Sequence, residues 1–159
     1  MSFKAFQSIA SSRLRFGFFM LLKLPAAFFS GVRLRSISEQ EAVVSVPYKW
    51  FSQNPFRSTY FACQAMAAEM STGVLALGHI YQREPSVSML VTGLKATFMK
   101  KATERVFFTC RDGGSIRHAV EVAIATGEGQ VFEALAVGST ASGEVVSEFR
   151  IQWSFKAKG

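Results

Sequence analysis

The chain has 159 residues, of which 49% are apolar and 16 are phenylalanine, so it can form one domain with a sizeable core and is not a disordered segment. Its formal charge of +7 and its pI near 9.8 favour an anionic partner, such as a nucleic acid, a membrane surface or a phosphorylated small molecule. The basic residues form no dense cluster, and no helix-turn-helix, zinc-ligand spacing or aromatic RNA-binding strand accompanies them. Nucleic acid is therefore disfavoured as a partner, and no metal site is expected.

Residues 1–24 are predicted to carry an amphipathic helix over residues 6–24, with Arg13, Arg15 and Lys23 as its polar positions. The apolar run inside this segment is interrupted and is shorter than the ~20 residues that a membrane-spanning helix needs. It also lacks a good signal-peptide cleavage site. We expect the helix to pack on its own domain or on a partner subunit, and attachment to a membrane surface is the less favoured alternative.

Residues 25–159 contain no linker, low-complexity tract or repeat and are interpreted as a single domain. Short strands are predicted at 32–35 and 41–46. Asn54 and Pro55 then favour the start of a helix, because Asn is a good cap and Pro suits the first helical position. The helix that follows is apolar on nearly all sides, which is typical of a buried central helix.

Beyond Pro85 the pattern predicts mainly strands. These are expected at 87–99 with a bulge at Gly93, at 104–110, at 131–137 and, after a turn at Ser142 and Gly143, at 145–155. Residues 115–125 fit a helix or a strand, and their alanines and the following Gly127 favour a helix. Together the elements predict an α+β fold in which an antiparallel sheet wraps a long central helix.

Cys63 and Cys110 lie far apart, without a CxxC motif or a metal-ligand spacing. This use of cysteine predicts reduced thiols in the core of a cytoplasmic protein. A catalytic role for Cys63 is disfavoured because its local pattern contains no histidine.

Glu69 is the one carboxylate in a long stretch of small and apolar residues. Between Arg57 and Arg83 there is no Asp, Lys or Arg, and His79 is the only other group that commonly ionises near neutral pH. His79 is expected at the end of the helix, as a partly positive ring that interacts with the helix dipole. A buried carboxylate is costly unless it is paired, hydrogen-bonded or neutralised. Glu69 is therefore either a structural residue with such partners, or a general base or acid whose pKa is raised in an apolar pocket.

With Asn54 before the central helix and Glu69 on it, the sequence resembles the hotdog-fold superfamily, in the acyl-thioesterase-like branch that includes a domain of unknown function (DUF4442). The resemblance covers residues 24–155 and centres on residues 54–61 and on Glu69, which follows Asn54 by fifteen positions. The segments 94–102 and 142–146 also look like the long strand and the closing hairpin of that family. Two positions depart from the family pattern: Arg57 stands where a glycine is common, and Tyr60 stands where hydrolytic members often have a histidine.

The resemblance implies a hydrolase of acyl-CoA or carrier-bound acyl thioesters. It also implies a homodimer or a dimer of dimers, with active sites where one central helix meets the partner's sheet. Glu69 would be the base or the nucleophile, and Asn54 would orient the loop or the water. The Tyr60 hydroxyl can donate to an acyl oxygen. The backbone amides of Tyr60 and Phe61 would stabilise the oxyanion.

No cofactor is implied, since coenzyme A or phosphopantetheine would be part of the substrate. The resemblance assigns its phosphates to four residues, Arg57, Lys100, Lys101 and Arg105. Each assignment has a structural alternative: Asn54 as a helix cap, Tyr60 as a core or interface aromatic, and the lysines as a solvated turn. Tyr60 and the many phenylalanines also leave open a non-catalytic hotdog protein that binds an acyl chain or a lipid.

Overall fold

The computed structural model describes residues 2–159. Within these residues the chain forms five α-helices and six strands, in the order α1 (Ser2–Ala10), α2 (Arg13–Lys23), α3 (Pro25–Phe29), β1 (Arg33–Ile37), β2 (Ala42–Val46), α4 (Phe61–Ile80), β3 (Val87–Phe98), β4 (Val106–Cys110), α5 (Gly113–Thr126), β5 (Gln130–Ser139) and β6 (Val145–Ala157). None of the helices in this range has both the length and the apolar character needed to span a bilayer.

The strands form one antiparallel sheet in the order β1-β2-β4-β5-β6-β3, and α4 contacts all six of them. Buried aromatic and aliphatic side chains of the sheet, including Phe108, Phe149 and Ile151, form the core together with α4. Fully buried alanines such as Ala67 and Ala76 let the helix approach the sheet closely. The predicted α+β arrangement of a sheet around a long helix is confirmed, and residues 115–125 belong to a helix as favoured.

The sequence pattern predicted that the central helix begins at Asn54 and Pro55, but in the structure it begins at Phe61. Asn54 instead organises a short loop, because its Oδ1 accepts hydrogen bonds from the backbone N–H groups of Phe56 (2.9 Å) and Ser58 (3.2 Å). Asn side chains form such local bonds as readily as helix caps. The predicted cap residue therefore shapes the loop that precedes the helix.

The predicted helix over residues 6–24 is divided into α1 and α2. Ser12 is the N-cap of α2, and its hydroxyl accepts from the N–H of Arg15 (3.4 Å). Helix α1 packs on the C-terminal end of α4, where the rings of Phe3 and His79 lie 4.7 Å apart between centroids. A Cβ on Gly78 would collide with the ring of Phe3, so this glycine makes the contact between the two helices possible.

His79 lies at the end of α4 as expected, but it is buried rather than partly positive. Its Nε2–H donates to the carbonyl oxygen of Glu39 (3.1 Å), and burial lowers the pKa of the ring. Cys63 and Cys110 are buried free thiols, as predicted, and burial raises the pKa of Cys110 to about 12.

Strand β3 forms one edge of the sheet and contains the predicted bulge. Its pairing with β6 shifts between Val91 and Gly93. Because of this shift, Val91 before the bulge and Leu94 after it both lie opposite buried residues of β6. The last inward-facing residue, Phe98, packs edge-on against Phe149 with centroids 5.6 Å apart. Along its other side β3 pairs with no strand in residues 2–159.

Candidate active site

Glu69 lies near the middle of α4 with its carboxylate beside Trp153 of β6. Its Oε1 is 3.2 Å from the point where a Cβ on Gly73 would lie, and the indole Cζ2 is 3.3 Å from the same point. The missing side chain at Gly73 therefore leaves room for both groups. The indole is held by Thr72, whose Oγ1 accepts from Trp153 Nε1 (2.8 Å) and donates to the carbonyl of Glu69 (2.9 Å).

The carboxyl group of Glu69 is partly removed from water. The residue is half-buried, and burial raises the pKa of its carboxyl group. No hydrogen bond or ion pair to this carboxylate comes from any side chain in the described range. Such a group is a stronger base than an exposed carboxylate, and it is free to act on a bound molecule.

The start of α4 presents two unsatisfied backbone donors. The N–H of Tyr60 donates to the carbonyl of Ser52 (2.8 Å), so this amide, predicted as an oxyanion donor, is already occupied. The N–H groups of Phe61 and Ala62 have no backbone acceptor within residues 2–159. They are among the donors that a helix start leaves free. The free pair is therefore Phe61 and Ala62 rather than Tyr60 and Phe61.

An open groove of about 500 Å³ lies between the start of α4 and the turn after β3. Exposed apolar side chains form much of its wall, among them Phe56, Phe98 and Met99. Five of the eight predicted site residues line it, namely Asn54, Tyr60, Phe61, Lys100 and Lys101. The groove is thus apolar with cations at one side.

The other three predicted residues, Glu69, Arg57 and Arg105, do not line this groove. Glu69 follows Phe61 by eight residues on α4, which corresponds to about 12 Å along the helix axis. Arg105 belongs with the arginines near β1, because burial and then the charges of Arg105, Arg13 and Arg33 lower the pKa of Arg35. One copy of the chain therefore does not bring all the predicted residues together.

Arg57 lies in the loop that precedes α4, and Lys100 and Lys101 lie in the turn after β3 that packs against this loop. Arg57 has a φ of +59°, in the left-handed region that favours glycine, which agrees with the glycine common at this position in the resembled family. Lys100 forms an ion pair with Glu144. Lys101 Nζ donates to the carbonyl of Phe56 (3.3 Å), so this ammonium group helps to hold the loop against the turn after β3.

Two buried polar residues at the groove, Gln64 and Thr59, are uncharged and were not among the predicted site residues. Gln64 Oε1 accepts from Ser147 Oγ (2.8 Å), and Gln64 Nε2 donates to the carbonyl of Thr59 (3.3 Å). The hydroxyl of Thr59 is buried and has no partner among residues 2–159, although a buried hydroxyl normally has one. An amide one turn into an otherwise apolar helix is the feature of the sequence that points to Gln64.

Solved structures share this architecture at low sequence identity. A protein from Pseudomonas aeruginosa, described as a probable thioesterase of unknown function, matches with a TM-score of 0.73 and 17% identity over 99% of this chain and 97% of that chain. A protein of unknown function from Chlorobaculum tepidum matches with a TM-score of 0.74 and 14% identity, over 98% and 94% of the two chains. A thioesterase from Haemophilus influenzae matches with a TM-score of 0.65 and 14% identity, over 92% and 91%. At these identities the similarity establishes the fold alone, and it confirms the predicted hotdog fold.

No curated protein matches the chain. The family model of the domain of unknown function DUF4442 matches residues 15–155, a range that contains all of residues 24–155, over which the sequence resembles this family. The chain therefore belongs to the DUF4442 family.

Proposed function

We propose that the protein is an acyl thioesterase that hydrolyses an acyl-CoA or a carrier-bound acyl group, with Glu69 as base or nucleophile. The observation that carries this proposal is the half-buried, unpartnered carboxylate of Glu69, whose pKa burial raises. A carboxylate buried for structural reasons normally has its charge balanced by hydrogen bonds or a cation. Glu69 has neither in the described part of the chain, so a role in chemistry is the better explanation.

The free amides at the start of α4 support the same reaction. As a base, Glu69 would take a proton from a water molecule that attacks the thioester carbonyl carbon. As a nucleophile, it would form an acyl anhydride and release the thiolate, and water would then hydrolyse the anhydride. In both routes the N–H groups of Phe61 and Ala62 would stabilise the oxyanion, as preorganised donors do in acyl transfer.

This scheme requires two copies of the chain, and we propose a homodimer, alone or within a dimer of dimers. In one copy Glu69 is about 12 Å along α4 from the amides, too far for both to act on one carbonyl group. The unpaired edge of β3 supports pairing with a second copy. So do the side chains of Leu94 and Phe98, which face inward but which α4 of the same copy leaves exposed. A half-buried stripe of α4 offers the partner a close approach at Ala62, Ala65, Met66 and Glu69.

The groove is suited to the thiol-bearing part of the substrate. Lys101 lines the groove, and in residues 2–159 no carboxylate pairs with it, so its ammonium group is available to a phosphate of coenzyme A or phosphopantetheine. Lys100, which also lines the groove, would add to this charge, although Glu144 balances part of it.

Arg57 does not line the groove itself, but its chain neighbours Phe56 and Ser58 do, so its charge would act from beside the groove. Asn54 would act by holding the loop, since its side chain already bonds the backbone of that loop. Arg105 is omitted because its charge lies near Arg35.

The first test of this proposal is thiol release from a panel of acyl-CoAs of increasing chain length. Glu69→Gln should lower turnover by about 10²–10⁴-fold, the usual contribution of a positioned acid or base. Glu133→Gln, which changes an exposed carboxylate on β5, is the matched control and should retain full turnover. Unchanged turnover in Glu69→Gln would remove this residue from the mechanism.

A proline at position 61 tests the oxyanion donor separately. Phe61 is the first residue of α4, where proline is well tolerated. Tyr60 before it has φ −58° and ψ 132°, which is outside the α region that a following proline disfavours. Phe61→Pro removes the N–H and should lower kcat by about 10²–10³-fold. Phe61→Ala keeps the N–H, so it measures the loss of the aromatic side chain alone, and equal losses in both variants would exclude the amide.

Mixing the two inactive variants tests the shared site. If one copy supplies the amide and the other supplies Glu69, mixed dimers of Glu69→Gln and Phe61→Pro contain one intact site. Random pairing should restore about one quarter of the wild-type activity, since half of the dimers are mixed. No recovery after confirmed subunit exchange would place both groups in the same copy and refute the shared site.

A non-catalytic hotdog protein that binds an acyl chain is the second candidate. It is favoured by Tyr60, since a tyrosine is a poor base near neutral pH, and by the exposed aromatic side chains of Phe56, Phe61 and Phe98 at the groove. This function predicts a bound acyl ligand in native mass spectrometry and no thiol release from any acyl-CoA. Thiol release that depends on Glu69 would reject it.

A further inference from the structure

Helix α2 is apolar on its exposed side as well as on its buried side. Leu14, Phe18 and Leu22 recur every four residues, and their exposed fractions are 88%, 61% and 61%. On the opposite side of the helix Phe16 and Met20 are buried in the domain. A helix of a soluble domain normally turns polar residues outward, so the exposed side of α2 is an unpartnered apolar face.

Further exposed aromatic side chains lie on α3 and at residues 50–51. Helix α3, which contacts α2, carries the exposed Phe29, whose ring centroid lies 6.2 Å from that of Phe51. The ring of Phe51 lies 5.7 Å from Trp50, which is 79% exposed. We call this the N-terminal apolar surface and define it by its exposed side chains, Leu14, Phe18, Leu22, Phe29, Trp50 and Phe51.

The segment that carries most of this surface has only positive charge. Residues 1–38 contain six lysines and arginines and no aspartate or glutamate. Three of the arginines, Arg13, Arg33 and Arg35, line a pocket of about 310 Å³ between α2 and β1. No carboxylate within residues 2–159 pairs with any of them.

This arginine pocket lies on the side of α2 that carries the buried Phe16 and Met20. On the exposed side, Arg15 lies three residues before Phe18, at a spacing that makes the two neighbours on a helix. The segment that carries the apolar surface is therefore rich in cations that no carboxylate of the described chain pairs with.

We propose that the N-terminal apolar surface docks on a membrane that contains anionic phospholipids, with its apolar side chains among the lipid headgroups and with Arg15 and the other basic residues of the segment attracted to the phosphates. Apolar and aromatic side chains beside uncompensated cations are the chemistry by which helices bind such interfaces. Helix α2 is about 16 Å long, roughly half the ~30 Å of a hydrocarbon core, so it would lie along the surface and not cross it. This inference goes beyond the proposed hydrolysis and does not depend on it.

A second copy of the chain suits the surface less well. Two copies joined through it would bring the cations of both N-terminal segments together without any carboxylate between them, and juxtaposed like charges disfavour association. An anionic membrane offers the opposite charge beside an apolar layer. The positive charge of this segment therefore favours an anionic membrane over a second copy of the chain.

The test is co-sedimentation of the full chain with phosphatidylcholine vesicles that do or do not contain phosphatidylglycerol. We expect binding to the anionic vesicles only, weakened by added salt. Trp50 gives a second readout, because Trp153 is only 4% exposed and a blue shift of the fluorescence on binding reports Trp50. Equal binding to both kinds of vesicle, or no binding, would overturn the proposal.

Matched variants separate the local surface from the overall charge. Arg13→Gln with Arg15→Gln should weaken binding by about thirty-fold, from about 1 kcal/mol for each cation near an anionic surface. Lys156→Gln with Lys158→Gln removes the same charge from the far end of the chain and should change binding little. Equal losses in the two pairs would mean that net charge alone draws the protein to vesicles, and would overturn the proposal.

The triple variant Leu14→Ser, Phe18→Ser, Leu22→Ser should lose vesicle binding and keep its sedimentation coefficient. A change of oligomeric state without a change in vesicle binding would assign the face to a second copy instead. Vesicle binding can also be measured in inorganic phosphate and in sodium chloride of equal ionic strength. If only phosphate abolishes binding, the arginine pocket is a site for a free anion. If the triple variant does not fold, the arginine pair and the Trp50 signal still decide the question.

Discussion

The substitution Gly73→Ala examines the space that Glu69 and Trp153 share. The new Cβ would lie 3.2 Å from Glu69 Oε1 and 3.3 Å from the indole Cζ2, so both neighbours would have to move by a few tenths of an ångström. Alanine in place of glycine stabilises a helix interior by about 1 kcal/mol. Crowding of a packed core destabilises by about 1–3 kcal/mol. The net effect should lie between no change and a loss of about 2 kcal/mol.

Gly73→Ala should also lower activity, because the new Cβ would displace the carboxylate of Glu69. A misplacement of ~1 Å can lower a rate by about 10²-fold, so a shift of a few tenths of an ångström should lower kcat/KM for thioester hydrolysis by about tenfold or less. Gly17→Ala on α2 is the matched control, because its new Cβ would meet no atom within 4 Å. It should gain the full ~1 kcal/mol and leave thiol release unchanged.

Urea unfolding and thiol release from an acyl-CoA measure the two effects. If Gly73→Ala is stabilised as much as Gly17→Ala and hydrolyses its substrate at the wild-type rate, the space beside Glu69 has no bearing on catalysis. A loss of activity without any difference in stability between the two variants would show that the carboxylate moves easily, and that its position is what matters.

Two further predictions concern charge and backbone conformation. Burial raises the pKa of Glu69 in the folded protein above its ordinary value of 4.5. The protonated carboxyl group therefore favours the folded state fully below pH 4.5, and this contribution is lost as the pH rises through the pKa of the folded protein. Glu69→Gln should thus unfold at higher urea concentration than wild type at neutral pH, with the difference shrinking in acid, and a pH-independent difference would contradict this. Arg57→Gly should change the urea midpoint little, because relief of a left-handed residue (about 1–2 kcal/mol) opposes the added freedom of the unfolded chain. The same change at Arg117, inside α5, should destabilise by about 1 kcal/mol, and similar losses at both positions would contradict the reasoning.

The sheet and the central helix were predictable because burial determines where apolar residues occur: they alternate along a strand with one buried face, and they occupy nearly all sides of a buried helix. Strand β6 places Phe149, Ile151, Trp153 and Phe155 on one face, and the bulge at Gly93 was visible as a break in such an alternation. The start of α4 was not predictable, since Asn54 bonds to the loop backbone as well as it would cap a helix. The division between α1 and α2 was not predicted, because the apolar residues on both sides of it fit one continuous helix. It occurs at Ser12, whose hydroxyl caps α2.

The candidate site was predictable only in part. Glu69 could be found because a lone charge in an apolar stretch is a local signal. Gln64 and Ser147 are 83 positions apart and both uncharged, so nothing in the sequence connects them before the fold does. The sequence of α2 left two alternatives open, packing on the domain or a partner subunit and attachment to a membrane surface, because sequence alone does not show which apolar residues of a helix are buried. In the structure Phe16 and Met20 are buried, whereas Leu14, Phe18 and Leu22 are exposed.

Under the proposed function, pairing of two copies would do more than bring groups together. Covering Leu94 and Phe98 removes apolar surface from water, which stabilises the pair. The same contact would desolvate Glu69 further, which disfavours its charged form and makes it a stronger base. The favourable burial on β3 would thus offset the unfavourable burial of the carboxylate. A monomer, which has free amides in one place and an accessible carboxylate about 12 Å along the helix, would be both less basic and incomplete. Hydrolysis should therefore depend on assembly through two effects that act in the same direction.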